Sequence, residues 1–194
     1  IAGNSDICHL PFRPAFRYYT DTVPVSSRRP ASSLPARVNY VVASRPITVV
    51  ATLGGQPQVV TFALDALLED YTVGELIVLH LSPADGRAAR ALERLTSEFK
   101  DNRYRGHPLK LQVLPVRSGR HALADIYDDG DADAVFQFVY ALIVRLKAEG
   151  HTLHVCISGG RRILGLLTLS AATLHFGHQD ILWHMYTPPE WQAE

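Results

Sequence analysis

Two short runs carry residue types suited to holding an anion: Gly54-Gly55-Gln56-Pro57-Gln58 and Ser158-Gly159-Gly160-Arg161-Arg162. Each follows an apolar, β-branched stretch and precedes residues of helical period. Glycine lets a ligand approach the backbone, and the N-terminus of the following helix presents N–H groups without intrahelical partners. In the second run two guanidinium groups add bidentate recognition of phosphate. Cations at a helix start oppose the macrodipole, so the placement calls for an anion. The plain alternative is that the glycines make tight turns and the arginines are solvated. Ser82-Pro83, after another strand-like stretch, is expected to line the same crevice; Arg117, Arg120 and His121 either meet a phosphate or base there or form a solvated loop.

Other chemistries fit less well. No G-x-G-x-x-G and no Walker A sequence is present, which removes the usual dinucleotide and P-loop fingerprints. Ser158 has Cys156 where a nucleophile elbow needs glycine. His151 and His154 fall three apart on a strand, hence on opposite faces, and read as ordinary strand histidines. His175 and His178 lie near Gly177 without an accompanying carboxylate motif, so no metal is expected. The run Asp128-Asp129-Gly130-Asp131-Ala132-Asp133 lacks the glycine at position six and the acid at position twelve of a calcium loop, and reads as a turn and helix N-cap.

The elements that position these runs follow from periodicity. Ile47–Leu53 (ITVVATL) is a continuous apolar strand; Pro57 then suits a first helical turn, with Val59, Val60, Ala63, Leu64 and Leu67 as its apolar stripe. Residues 75–81 (ELIVLHL), 110–116 (KLQVLPV), 151–157 (HTLHVCI) and 181–186 (ILWHMY) are four further strands. A surface helix is expected over 85–100, with Ala88, Leu92, Leu95 and Phe99 inward. Another spans 131–149, with Val135, Phe138, Val139, Leu142 and Leu146 inward and Gly150 ending it. Residues 163–174 are apolar nearly all round yet too few to cross a bilayer, which suggests a buried helix or a dimer interface. The β-α-β-α-β-α-β-α-β order implies an α/β fold with an open, mostly parallel, doubly wound sheet. Ligands of such sheets bind beyond the carboxyl ends of the strands, where strand order reverses.

The chain has 194 residues, 47% of them hydrophobic, enough for one domain with a sizeable core. Its 19 basic and 19 acidic residues balance, so no global basic field would hold a DNA duplex. Residues 1–46 differ from the rest: six arginines against two aspartates leave +4, and six of the 12 prolines fall there. They are expected to form a mostly irregular arm, with the folded domain at 47–194. The arm lacks the apolar centre of a secretory signal and resembles a transit peptide only in composition. Two cysteines, Cys8 and Cys156, fit a reducing cytoplasm better than a disulfide framework.

Residues 50–61 (VATLGGQPQVVT) together with 155–162 (VCISGGRR) resemble the CRISPR-associated Rossmann-fold (CARF) domain, and within it the CRISPR ring nucleases. The similarity spans roughly residues 47–189. The resemblance implies a homodimer that binds cyclic oligoadenylate, cyclic tetra-adenylate above all, across its two-fold axis, and cleaves it without metal or other cofactor to end an antiviral response. Gln56 stands where such enzymes commonly have a hydroxyl residue, and an arginine where a lysine is common. Gln56, Arg161 and Arg162 would be the catalytic groups. The runner-up expectation is a non-catalytic sensor module that controls an effector. A nucleotide-binding transcriptional regulator is weaker, because no helix-turn-helix follows Tyr186.

Overall fold

Residues 16–18, 46–82 and 86–185 are described in this computed structural model. In chain order the elements are β1 (Phe16–Tyr18), β2 (Ile47–Leu53), α1 (Gln58–Asp70), β3 (Val73–His80), α2 (Gly86–Ser97), the short strands β4 (Phe99–Lys100), β5 (Arg103–Tyr104) and β6 (His107–Pro108), and β7 (Lys110–Pro115). There follow the hairpin β8 (Arg117–Ser118) and β9 (His121–Ala122), then α3 (Asp129–Ala148), β10 (Leu153–Cys156), α4 (Arg162–Thr173) and β11 (Ile181–His184).

The main sheet has the order β1-β11-β10-β2-β3-β7. Its five strands from β11 to β7 are parallel, and β1 joins the β11 edge antiparallel. The expected doubly wound α/β architecture is therefore present. Within the stretch expected to be mostly irregular, Phe16–Tyr18 forms this edge strand; the rest of residues 1–46, apart from Pro46, lies outside the described residues, as does Tyr186 of the last expected strand.

Why β2 reads as an unbroken apolar run is visible in its burial: all seven residues are covered, because helices lie on both faces. Val49, Ala51 and Leu53 pack with Val60, Leu64 and Leu67 of α1 and Leu95 of α2. Val50 faces the other way, with Val135 and Val139 of α3 and Leu164 of α4. Each fully buried leucine or valine side chain contributes about 1.5–3 kcal/mol. The acidic run behaves as expected: Asp131 N–H donates to Asp128 Oδ1 at 2.8 Å, capping α3. Gly150, at φ +81°, closes the same helix with its N–H on the Lys147 carbonyl.

At the amino ends of β10 and β11, Asp180 ties α3, β10 and the loop before β11 together. Its nearly inaccessible carboxylate accepts from Lys147 Nζ at 2.6 Å, Leu153 N–H at 2.7 Å and Gly177 N–H at 2.6 Å.

Two expectations are corrected. The helix over 85–100 stops at Ser97, and Phe99 instead begins a three-stranded meander, β4-β5-β6. Its turns at Asp101-Asn102 and Arg105-Gly106 hold positive φ at both central residues, the geometry that matches hairpin twist. The meander brings its aromatic residues into contact: Phe99 stacks on buried Tyr104 at 4.9 Å, and the Tyr104 hydroxyl donates to Asp65 at 2.9 Å. Burial, reinforced by Asp65, pushes that phenol far above its ordinary range. Second, of the two expectations for residues 163–174, a helix buried all round is excluded. Leu164, Gly165, Thr168, Ala171 and Ala172 face the core, while Ile163, Leu166 and Leu174 are exposed.

Candidate functional site

In this sheet the strand order reverses between β2 and β10, which pair in parallel with Val50 opposite Val155 and Ala51 opposite Cys156. Each of the two ends in a glycine loop, so the loops leave the sheet side by side. Their contact is backbone on backbone. A Cβ on Gly54 would lie 2.7 Å from Gly160 Cα, and one on Gly159 would collide with the Thr52 carbonyl oxygen. Gly160 adopts φ +80°, and Thr52 Oγ1 donates to the Gly159 carbonyl at 2.6 Å. The glycines thus first admit each other's loop, and by doing so shape a crevice of about 460 Å³ beside them.

Of the residues singled out from sequence, the crevice gathers Gly54, Gly55 and Gln56 from the first loop and Ser158, Gly159, Gly160 and Arg161 from the second. Ser82, at the end of β3, also lines it, as does half-buried Val59. Pro57 and Gln58 do not; they line an adjoining groove against α2. Arg162 is exposed at the first position of α4, outside the crevice lining. Arg117, Arg120 and His121 belong to the exposed β8–β9 hairpin, where Arg117 donates to the Arg120 carbonyl at 3.3 Å, and none of them lines the crevice. The hairpin's exit does contribute: Ser82 N–H donates to Leu123 O at 2.6 Å, which sets Ala124 in the wall.

The electrostatics favour an anion. Neither α1 nor α4 has a side-chain cap or an acidic residue in its first turn, whereas α3 has both. The starts of α1 and α4 both open at the crevice, so their unpartnered N–H groups face it. Arg161 already holds one anion, however. Its Nε donates to Asp125 Oδ1 at 3.0 Å and its Nη2 to Oδ2, a bidentate pair. The Ile126 N–H, followed by the Arg161 guanidinium, holds the Asp125 carboxyl below its ordinary range.

Two site residues were missed from sequence. Asp125 stands just before an acidic run that draws attention to itself. Arg87 lines the crevice from α2, its side chain lying over Gly55, where a Cβ would fall 2.7 Å from Arg87 Nε. The available signal was spacing, since Arg87, Arg90 and Arg94 recur at i, i+3 and i+7.

Nucleophile and metal chemistry gain little. Ser158 Oγ accepts from Met185 N–H at 2.5 Å and lies 3.4 Å from His184 Nδ1, which ties its loop to the end of β11. Burial pushes the Cys156 thiol up, away from reactivity. Buried His154 accepts from Trp183 Nε1 at 3.1 Å, and His151 Nδ1 lies 2.7 Å from Thr48 Oγ1. Among the described residues no group of three or more His, Cys, Asp or Glu side chains is placed to hold a metal ion, and no helix is long and apolar enough to cross a membrane.

Fold and site together define an open, doubly wound α/β protein with a crevice at the switch point of its sheet. Residues 56–194 match the family model of CRISPR-associated protein NE0113, and the chain belongs to this CRISPR-associated family. No curated protein matches the chain.

Proposed function

We propose that the crevice binds cyclic oligoadenylate, specifically cyclic tetra-adenylate, and that the protein acts on it as a metal-independent ring nuclease of CRISPR antiviral defence. The observation that carries this reading is the pair of uncapped helix starts beside the joined glycine loops, with Arg161 and Arg87 in the same wall. Membership of a CRISPR-associated family supports it.

In this reaction a ribose 2′-oxygen forms a bond to its own 3′-phosphorus while the bond to the 5′-oxygen breaks. The proton leaves the 2′-hydroxyl, the departing 5′-oxygen takes one up, and the product ends in a 2′,3′-cyclic phosphate. Gln56 orients the hydroxyl or phosphate; Arg161 and the helix N–H groups stabilise charge on the phosphorane, and exposed Arg162 reaches the ring from outside the crevice lining. Arg161 exchanges Asp125 for the ligand phosphate on binding. Two protomers related by a two-fold axis present four arginines from positions 161 and 162 to one ring, and the exposed Ile163, Leu166 and Leu174 of α4 supply apolar contact for such a homodimer.

A second reading, a sensor module without turnover, is favoured by one observation: no carboxylate or imidazole is among the described residues lining the crevice. Incubation with cyclic tetra-adenylate in EDTA separates the two. Linear products bearing 2′,3′-cyclic phosphate support cleavage; tight binding with the ring intact supports the sensor, and no binding at all defeats both.

A further inference from the structure

Beside the crevice, a second cavity of about 320 Å³ lies between α2 and the residues Gly55, Gln56, Pro57 and Gln58. Arg87, Arg90 and Arg94 form its opposite wall, with buried Ala91 at its floor. All three arginines are exposed. Among the described residues none of them has an ion-pair partner. In a chain of zero net charge this is a concentrated cationic stripe.

Two glycines lie against these side chains. The Arg87 side chain occupies the space a Gly55 Cβ would take, and a Cβ on Gly86 would lie 2.9 Å from Arg90 Nη1. Arg87 and the Gly55-Gln56 edge belong to both cavities, so the groove is continuous with the crevice.

The lining selects the ligand's chemistry. It contains no aromatic ring on which a base would stack and no carboxylate that would repel phosphate. At 1.5 Å rise per residue, Arg87 to Arg94 spans about 10 Å along α2. That is about three nucleotide steps of a stacked strand. Guanidinium groups spread over such a span meet the phosphates of a short strand without matching each one, and read no sequence.

We infer that the α2 groove is a second binding site, which holds the phosphodiester backbone of a single-stranded oligonucleotide through Arg87, Arg90 and Arg94. The site goes beyond the ring-binding reading, because Arg90 and Arg94 do not line the crevice.

Fluorescence anisotropy with labelled linear hexa-adenylate and hexa-uridylate, over a range of salt, tests this in the full chain. Both hexamers bind with similar affinity, and the Arg90→Glu/Arg94→Glu double variant weakens both at least 10-fold while lowering the salt slope by about 2. Arg90→Lys/Arg94→Lys retains most of the binding, which separates lost charge from lost fold. Cyclic tetra-adenylate, measured in parallel, loses several-fold less affinity than the hexamers in the Glu double variant. If the ring fails to bind but the hexamers behave as stated, the crevice reading falls and the groove stands. Absence of hexamer binding, unchanged hexamer affinity in the Glu double variant, or an effect confined to inorganic tripolyphosphate overturns the groove.

Discussion

Gly54 and Gly160 belong to loops more than a hundred residues apart, yet a Cβ on the first would sit 2.7 Å from the Cα of the second. Backbone cannot retreat from such a contact as a flexible side chain can. Gly54→Ala therefore costs about 1–3 kcal/mol by overpacking. Chemical denaturation reads this as a lower midpoint at unchanged slope, and ligand binding falls with it because the crevice wall is the displaced part.

In the proposed complex Arg161→Ala and Arg162→Ala each remove a charge-assisted phosphate contact and are expected to weaken ring binding by about 1.5–3 kcal/mol, with Arg162, outside the crevice lining, at the low end. Asp125→Asn acts in the opposite direction: with its internal competitor neutralised, Arg161 meets the ligand at less cost and affinity rises several-fold. Calorimetry on the three variants checks both signs. Unchanged affinity in both arginine variants would remove the second loop from the site.

The Asp125 carboxyl has a depressed folded-state pKa, so its contribution to stability is present above the ordinary carboxylate range and is lost as pH falls through the folded value. At neutral pH the pair with Arg161 is intact. An NMR titration of the Asp125 carboxyl should show its midpoint displaced downward, and Arg161→Ala should move it back up part of the way, since the Ile126 N–H remains.

Gln56 lines the crevice without belonging to the buried core. If it orients the reacting hydroxyl, Gln56→Ala slows single-turnover cleavage while leaving affinity nearly unchanged. Equal turnover in the variant would reduce Gln56 to a turn residue.

Asp180 lies at the opposite end of the strands from the crevice. Its replacement by alanine strands Lys147 and the N–H groups of Leu153 and Gly177, a loss of about 3–5 kcal/mol. Thermal denaturation should register this as a large drop in Tm, with ligand affinity preserved in the molecules that remain folded.

The proposed dimer binds one ring per two chains, and Leu166→Asp, at a leucine that is 56% exposed on α4, is expected to shift it toward monomer. Light scattering with and without cyclic tetra-adenylate checks this; a monomer carrying ligand would contradict it.

Sequence alone determined the alternation of strands and helices, because burial on two faces writes an unbroken apolar run in ITVVATL and burial on one face writes a stripe in α1. It also marked the two glycine loops and the Asp128 cap, since those depend on residues a few positions apart. Tertiary structure alone decided that β2 and β10 are neighbours, that the glycines of one loop make space for the other, and that Arg161 meets Asp125. It also ended α2 at Ser97, where the stacking of Phe99 on Tyr104 accompanies a hairpin in place of continued helix, and turned Arg87 over Gly55. The physical reason is range: periodicity and capping are local and leave a pattern in the chain, whereas a contact across a sheet depends on which strands lie side by side, and no local pattern records that.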